Sequence, residues 1–233
     1  MRLIFGTSTL HWLSNKSRYK IISAALNNGF SQFDTSGVYG LGATNKYIGS
    51  LGLPKNIRYS AKLGLKTAKT IGFSRIEVFS RKLFFPKNSK IVKDNCYSNW
   101  QYQFETQMSD LGVSKVQRLL LHERFINREL WQLFQKFISE YSDHFDEYGV
   151  SASWLTLRPI INKIYHENLL IQTTPDIIYD KKITNLKNIT LYGVSKLCHE
   201  NENVLNEKKN IKGVIYFSSQ VLRIKNFTSR QLA

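Results

Sequence analysis

The sequence is punctuated by short apolar runs, each of which stops on polar residues. GFSQFDTSGVYG (29–40), NIRYSAKLG (56–64) and VQRLLLHER (116–124) are the clearest. Short, nearly continuous apolar runs of this kind read as strands buried in a parallel sheet. In a parallel α/β sheet or barrel the ligand site lies at the carboxyl ends of the strands. Asp34, Tyr39, Lys62 and His122 are therefore expected on one face of the fold.

Strand and helix signals alternate along the rest of the chain. The first strand is expected at about 2–7, followed by a helix from Lys16 to Asn28; the second strand ends at Asp34, with a helix near Asn45. The third strand is placed at 57–62, a long irregular stretch at 65–95, and a helix at 97–111. A fourth strand at 116–121 and a helix at 128–142 precede a fifth strand at 146–151 and a helix at 154–166. The sixth strand, 168–172, returns to the seventh, 189–194, by a path short enough to leave its helix vestigial. A helix–strand pair over 198–217 and a last helix from Ser219 complete eight repeats. The fold class is α/β, a (β/α)8 barrel, and 233 residues suit the roughly 200–250 that such a barrel needs. No linker, repeat or low-complexity tract divides the chain, so one domain over 1–233 is expected. Trp131, Phe134, Phe137 and Ile138 recur at helical spacing and are assigned to the core.

The four polar residues suit proton transfer, each for its own reason. A phenol titrates near 10 in water, so a tyrosine acting as general acid near neutrality needs tuning. A lysine ammonium beside Tyr39 favours phenolate and is expected to lower its pKa, and Lys62 can supply it. Asp34 would keep Lys62 charged, and His122 could donate to a substrate carbonyl oxygen.

The set resembles the Asp-Tyr-Lys-His tetrad of the aldo-keto reductase superfamily. Asp34-Thr35-Ser36-Gly37-Val38-Tyr39-Gly40 is similar to that family's D-T-A-x-x-Y-G signature. Leu111-Gly112 followed by Leu119-Leu120-Leu121-His122 resembles its L-G…D-L-x-x-x-H pattern, and Gly149-Val150-Ser151 its fifth strand. The resemblance implies a (β/α)8 barrel that moves hydride between a nicotinamide cofactor and an aldehyde, ketone or sugar-like substrate, with Tyr39 as general acid and base. It implies a cofactor site of Gly6, Thr7, Asp34, Ser151, Gln172, Ser218, Ser219, Arg223 and Asn226. NADP(H) is implied ahead of NAD(H), through Arg223, although Phe217 stands where many members place a lysine. Tyr192 is a candidate for stacking on the nicotinamide, and His11 and Trp12 for lining the substrate pocket or for loop packing. Family members usually begin with a hairpin under the barrel and end with a loop over the site, and neither is expected here. A pseudoenzyme that binds nicotinamide nucleotide, or a non-redox isomerase or lyase, would use the same fold.

The stretch 65–95 falls on the catalytic face, either as a wall of the substrate pocket or as a partly helical surface excursion. A net charge of +16 admits nucleic-acid binding. The basic residues are spread along the whole chain, however, without helix-turn-helix, zinc-finger or RNA-binding signatures, so nucleic acid is not expected as a partner. No membrane partner is expected either, because the apolar part of MRLIFGTSTLHWL is too short for a signal or a span. Cys96 and Cys198 stand far apart and read as free thiols of a cytoplasmic protein. His144 and Asp146 lack a third ligand at useful spacing, which excludes a zinc site there.

Overall fold

The computed structural model describes residues 2–67, 75–84, 86, 90–122, 126–180, 186–193, 210–218, 220, 221, 223 and 224. Ten strands are described: β1 Arg2–Gly6, β2 Gln32–Asp34, β3 Arg58–Leu63, β4 Leu65–Lys66, β5 Val92–Lys93, β6 Val116–His122, β7 Phe145–Ser151, β8 Leu170–Thr173, β9 Ile189–Tyr192 and β10 Ile211–Phe217. Eight of them close into a parallel barrel in the order β1-β10-β9-β8-β7-β6-β3-β2. The expected (β/α)8 architecture is therefore present. The helices are α1 Asn15–Asn27, α2 Ala43–Ser50, α3 Arg75–Phe84, α4 Tyr97–Leu111, α5 Arg128–Glu140, α6 Trp154–Leu157 and α7 Ile161–Ile164.

Local chemistry sets the helix starts. Ser14 accepts a hydrogen bond from the Ser17 N–H at the start of α1, and Asn127 accepts one from the Leu130 N–H at 2.8 Å ahead of α5. Trp131, Phe134 and Phe137 of α5 are buried, as their spacing required. The single helix expected over 154–166 is instead two short ones, α6 and α7. Pro159 lies between them and has no N–H to continue the ladder. The return after β8 contains a five-residue 3-10 turn, Pro175–Tyr179, which fits a vestigial helix. The helix expected from 198 and the residues after Ile224 lie outside the described residues.

Register decides what each strand shows to the barrel interior, since residues two apart share a face. The pairs Gly6↔Asp34, Asp34↔Ser60, Ser60↔Arg118, His122↔Ser151 and Ser151↔Gln172 run along one inner surface. Ile4, Leu120, Leu170 and Ile215 fill the middle of the barrel and are buried. The alternate residues, among them Phe5, Phe33, Leu119 and Leu121, pack outward with Trp100, Phe104 and Phe134 of the helices in the main core. At the amino end of the barrel the buried Arg118 donates from Nε to Glu147 at 3.1 Å, and Glu147 also accepts from Arg2 at 2.7 Å. The polar ends of β2, β3, β6, β7 and β8 meet at the opposite, carboxyl end.

In the described parts of the 65–95 stretch, β4 and β5 pair antiparallel at the base, and α3 lies within the stretch.

Candidate active site

β2 ends at Asp34 because the chain must turn to deliver Tyr39. The turn after Tyr39 is tight: Gly40, Leu41 and Gly42 all take positive φ, at 58°, 58° and 85°. A Cβ on Gly40 would overlap the His11 side chain, so glycine is required there on two counts. Leu41 has no such freedom, and left-handed backbone there costs on the order of 1 kcal/mol. Strain held beside a functional side chain is a recurrent feature of active sites.

The turn brings three side chains into contact. Lys62 Nζ donates to Asp34 Oδ2 at 2.8 Å and lies 3.0 Å from Tyr39 Oη. Asp34 is fully buried and Lys62 nearly so. The His122 ring stands edge-on to Tyr39, with centroids 6.2 Å apart. Its Nδ1 is 3.4 Å from the Ser36 hydroxyl. With that hydroxyl donating, the imidazole proton sits on Nε2, from which it can reach a substrate oxygen.

The electrostatics give Lys62 the expected sign and add a larger opposing effect. Burial raises the Tyr39 phenol above its ordinary value, and the Asp34 charge adds to this; the opposing Lys62 charge does not overcome them. Tyr39 is thus held as an acid, not poised to ionise. Burial by itself would lower Lys62, but Asp34 and Tyr39 outweigh it, and the ammonium is held well above its usual range. His11 is pushed down to about 4 by burial first and the Lys82 charge second. It packs against Trp12 with ring centroids 4.5 Å apart.

Gln107 of α4 was not singled out from the sequence, yet its carboxamide spans the site. Oε1 accepts from the Gly37 N–H at 2.9 Å and the Lys62 N–H at 3.2 Å. Nε2 donates to the carbonyls of Lys62 at 3.0 Å and Gln103 at 3.2 Å. The β2–β3 ladder ends at Asp34↔Ser60 while β3 runs on, so the side chain replaces the missing strand at Lys62. All four hydrogen-bonding positions of the amide are used. A glutamine four residues before a helix end gives no sequence signal of such a role. It becomes visible only once the ladder is known to stop.

The expected cofactor residues divide. Ser151 and Gln172 lie side by side in register next to His122, both buried, and Gln172 Oε1 has no hydrogen-bond partner. An unpartnered buried acceptor there fits an amide N–H of a nicotinamide. Thr7 uses its hydroxyl on the Asp34 carbonyl at 2.9 Å and ties β1 to β2. Gly6 lies under the Phe217 ring, which any Cβ would overlap. The Ser218 hydroxyl donates to the Gln220 carbonyl and accepts from its N–H, closing its own turn. The Arg223 side chain is exposed, and its carbonyl accepts from Tyr216 at 3.0 Å. Ser219 and Asn226 lie outside the described residues. Tyr192 is raised to about 12, by burial first. Among the described residues no His, Cys, Asp and Glu cluster could hold a metal, and Cys96 is free and exposed.

Beside the turn that carries Tyr39, the β4–β5 hairpin and α4 enclose a cleft of about 360 Å³ that reaches Gly37 and Val38. Asp94, buried, is fixed in its wall by Asn99 and Gln103. The described part of the 65–95 stretch is thus partly helical, and its Leu65, Lys66, Thr67 and Asp94 line this cleft.

No curated protein matches the chain. Solved structures match at fold level. A protein of Pseudomonas aeruginosa assigned to the aldo-keto reductases superposes with a TM-score of 0.73 at 14% identity, over 97% of this chain and 87% of that one. An aldo-keto reductase of Bacillus halodurans in its holo form gives 0.71 at 14%, over 100% and 87%. The glycerol dehydrogenase of Gluconobacter oxydans gives 0.59 at 20%, over 85% and 60%. At these identities the likeness establishes the fold alone. The family model for the aldo/keto reductase family matches residues 2–151, which includes β1 through β7 and all four residues of the tetrad. The chain belongs to the aldo/keto reductase family of NAD(P)-dependent oxidoreductases.

Proposed function

We propose that the protein moves hydride between a nicotinamide and the carbonyl or alcohol carbon of an aldehyde, ketone or sugar-like substrate, with Tyr39 as acid and base. The observation that carries this reading is Lys62 Nζ held between Asp34 at 2.8 Å and Tyr39 Oη at 3.0 Å. A bound nicotinamide supplies the hydride. As the carbonyl carbon is reduced, its oxygen takes the Tyr39 proton, and the phenolate left behind faces the Lys62 ammonium. His122 Nε2–H orients the carbonyl oxygen beforehand. Asp34 keeps Lys62 charged throughout. In oxidation the same groups run in reverse, with Tyr39 phenolate as base.

Ser151 and Gln172 would hold the carboxamide, and Gln172 is supported by its unpartnered Oε1. Ser218, Ser219, Arg223 and Asn226 would hold the adenosine phosphate, with NADP(H) preferred to NAD(H) through the Arg223 guanidinium. The chain would act in the cytoplasm as one domain. The test is to titrate the purified protein with NADPH and NADH, then screen aldehydes, ketones and aldoses for loss of reduced-cofactor absorbance. Saturable cofactor binding with turnover of a carbonyl compound is expected. Absence of turnover across the screen, with either cofactor bound, would defeat the reading.

A further inference from the structure

The basic residues are spread along the whole chain at first reading, but they are not evenly dense. Residues 66–93, between β3 and α4, hold eight Lys or Arg against Glu77 alone, a net +7 of the total +16 in 28 of 233 positions. The same stretch carries α3, whose packing is inverted for a helix of a globular protein. A surface helix normally turns its apolar stripe to the core. Among the described side chains of α3 only Val78 is buried, against Leu41 and Ala43 just after Tyr39. Ile76, Phe79 and Leu83, at spacings of three and four on the opposite face, are 78%, 60% and 59% exposed, and Phe84 beside them 70%. Trp12, half-exposed, adjoins the helix, with Lys82 Nζ 4.2 Å above its ring. An apolar stripe of this kind, rimmed by cations, marks an interaction site.

We propose that α3 and Trp12 form a docking surface for an anionic lipid bilayer. The helix lies in the interface with Phe79, Leu83 and Phe84 among the acyl chains and Arg81 and Lys82 at the headgroup phosphates. Charge selects this occupant. A second copy would set +7 against +7, and a nucleic acid would leave the leucine and isoleucine tips without apolar cover. No helix among the described residues is long and apolar enough to cross a membrane, so binding is peripheral. Because Val78 anchors α3 next to the Tyr39 turn, docking turns the carboxyl end of the barrel toward the bilayer. The proposal is independent of the reaction.

The experiment is flotation of the full chain with vesicles of equimolar phosphatidylglycerol and phosphatidylcholine, against phosphatidylcholine alone. Flotation with the anionic vesicles near 0.1 M salt is expected, where screening reaches only about 10 Å, and release at about 1 M. Phe79→Ser and Leu83→Ser should each weaken it about tenfold or more. Both positions are exposed, so the variants should keep the circular dichroism and melting temperature of the parent. Of the four tryptophans Trp12 alone is exposed, and its emission should shift to the blue on binding; Trp12→Phe should remove that shift. Three results would overturn the proposal: no flotation with anionic vesicles, flotation indifferent to Phe79→Ser and Leu83→Ser, or a self-association that Phe79→Ser abolishes in place of vesicle binding.

Discussion

Replacing Lys62 with methionine separates what the buried pair does for folding from what it does for chemistry. The ammonium lies 2.8 Å from Asp34 Oδ2, and Asp34 Oδ1 has no hydrogen-bond partner. At that distance and an effective dielectric near 20, the attraction is about 6 kcal/mol. Desolvation consumes part of this, and losing one member of a buried pair typically costs about 3–5 kcal/mol because the other charge is stranded. Lys62→Met should therefore lower the free energy of unfolding by about that amount at pH 7. Lowering the pH should narrow the deficit, since a stranded Asp34 can relieve itself by taking a proton. The double variant Asp34→Leu/Lys62→Met buries no charge and should recover most of the stability. Both variants should reduce carbonyl turnover by about two to four decades, because the charge facing the Tyr39 phenolate is gone. Urea unfolding monitored by circular dichroism, with cofactor oxidation assays in parallel, gives both quantities. A double variant no more stable than Lys62→Met would refute the pair argument, and one that regained activity with its stability would refute the role of Lys62.

Gln107→Met should leave the Lys62 N–H, the Lys62 carbonyl and the Gly37 N–H unpaired; a displacement of the Tyr39–Lys62 pair by about 1 Å would cost on the order of 10²-fold in kcat with KM nearly unchanged. Amide exchange at Gly37 and Lys62, read by NMR, should quicken in the same variant, and unchanged exchange would show that the bracket is not formed. His11 has its folded pKa lowered from 6.5 to about 4, so it contributes no penalty above pH 6.5 and destabilises progressively as the pH falls from 6.5 to about 4. By pH 4.5 this amounts to about 2–3 kcal/mol, and His11→Phe should flatten that part of the urea-derived stability curve. Arg223→Ala should erase most of a preference for NADPH and leave NADH affinity nearly untouched; equal affinity for the two cofactors in the parent would show that Arg223 does not meet a 2′-phosphate.

Much of the fold was legible because barrel strands are buried on both faces. An apolar run that stops on Asp34 or on His122 marks a strand end without knowledge of its neighbours. The tetrad followed from those ends, since a parallel barrel puts them together. The break in the helix expected over 154–166 was legible in principle, since Pro159 has no N–H to continue the ladder. Gln107 was hidden for another reason: its role exists only because β2 ends opposite Ser60 while β3 runs on three residues to Leu63. The net direction of the Tyr39 shift was not legible, because a neighbouring cation is visible in sequence and the depth of burial opposing it is not. The inverted packing of α3 was likewise not legible, as its hydrophobic positions look like an ordinary buried stripe, whereas Val78 packs against Leu41 and Ala43, and Ile76, Phe79 and Leu83 are exposed.

The central claim is that Tyr39 gives the proton. The most direct measurement is a single-turnover reduction by Tyr39→Phe against the parent, with cofactor affinity determined separately by fluorescence. Across about pH 6–9 the parent should show a flat rate, because a phenol raised above its ordinary value stays protonated there. The variant should bind cofactor with nearly the same Kd and turn over about two to four decades more slowly at every pH. Near-parental turnover by Tyr39→Phe, or a loss explained wholly by weaker cofactor binding, would contradict the account.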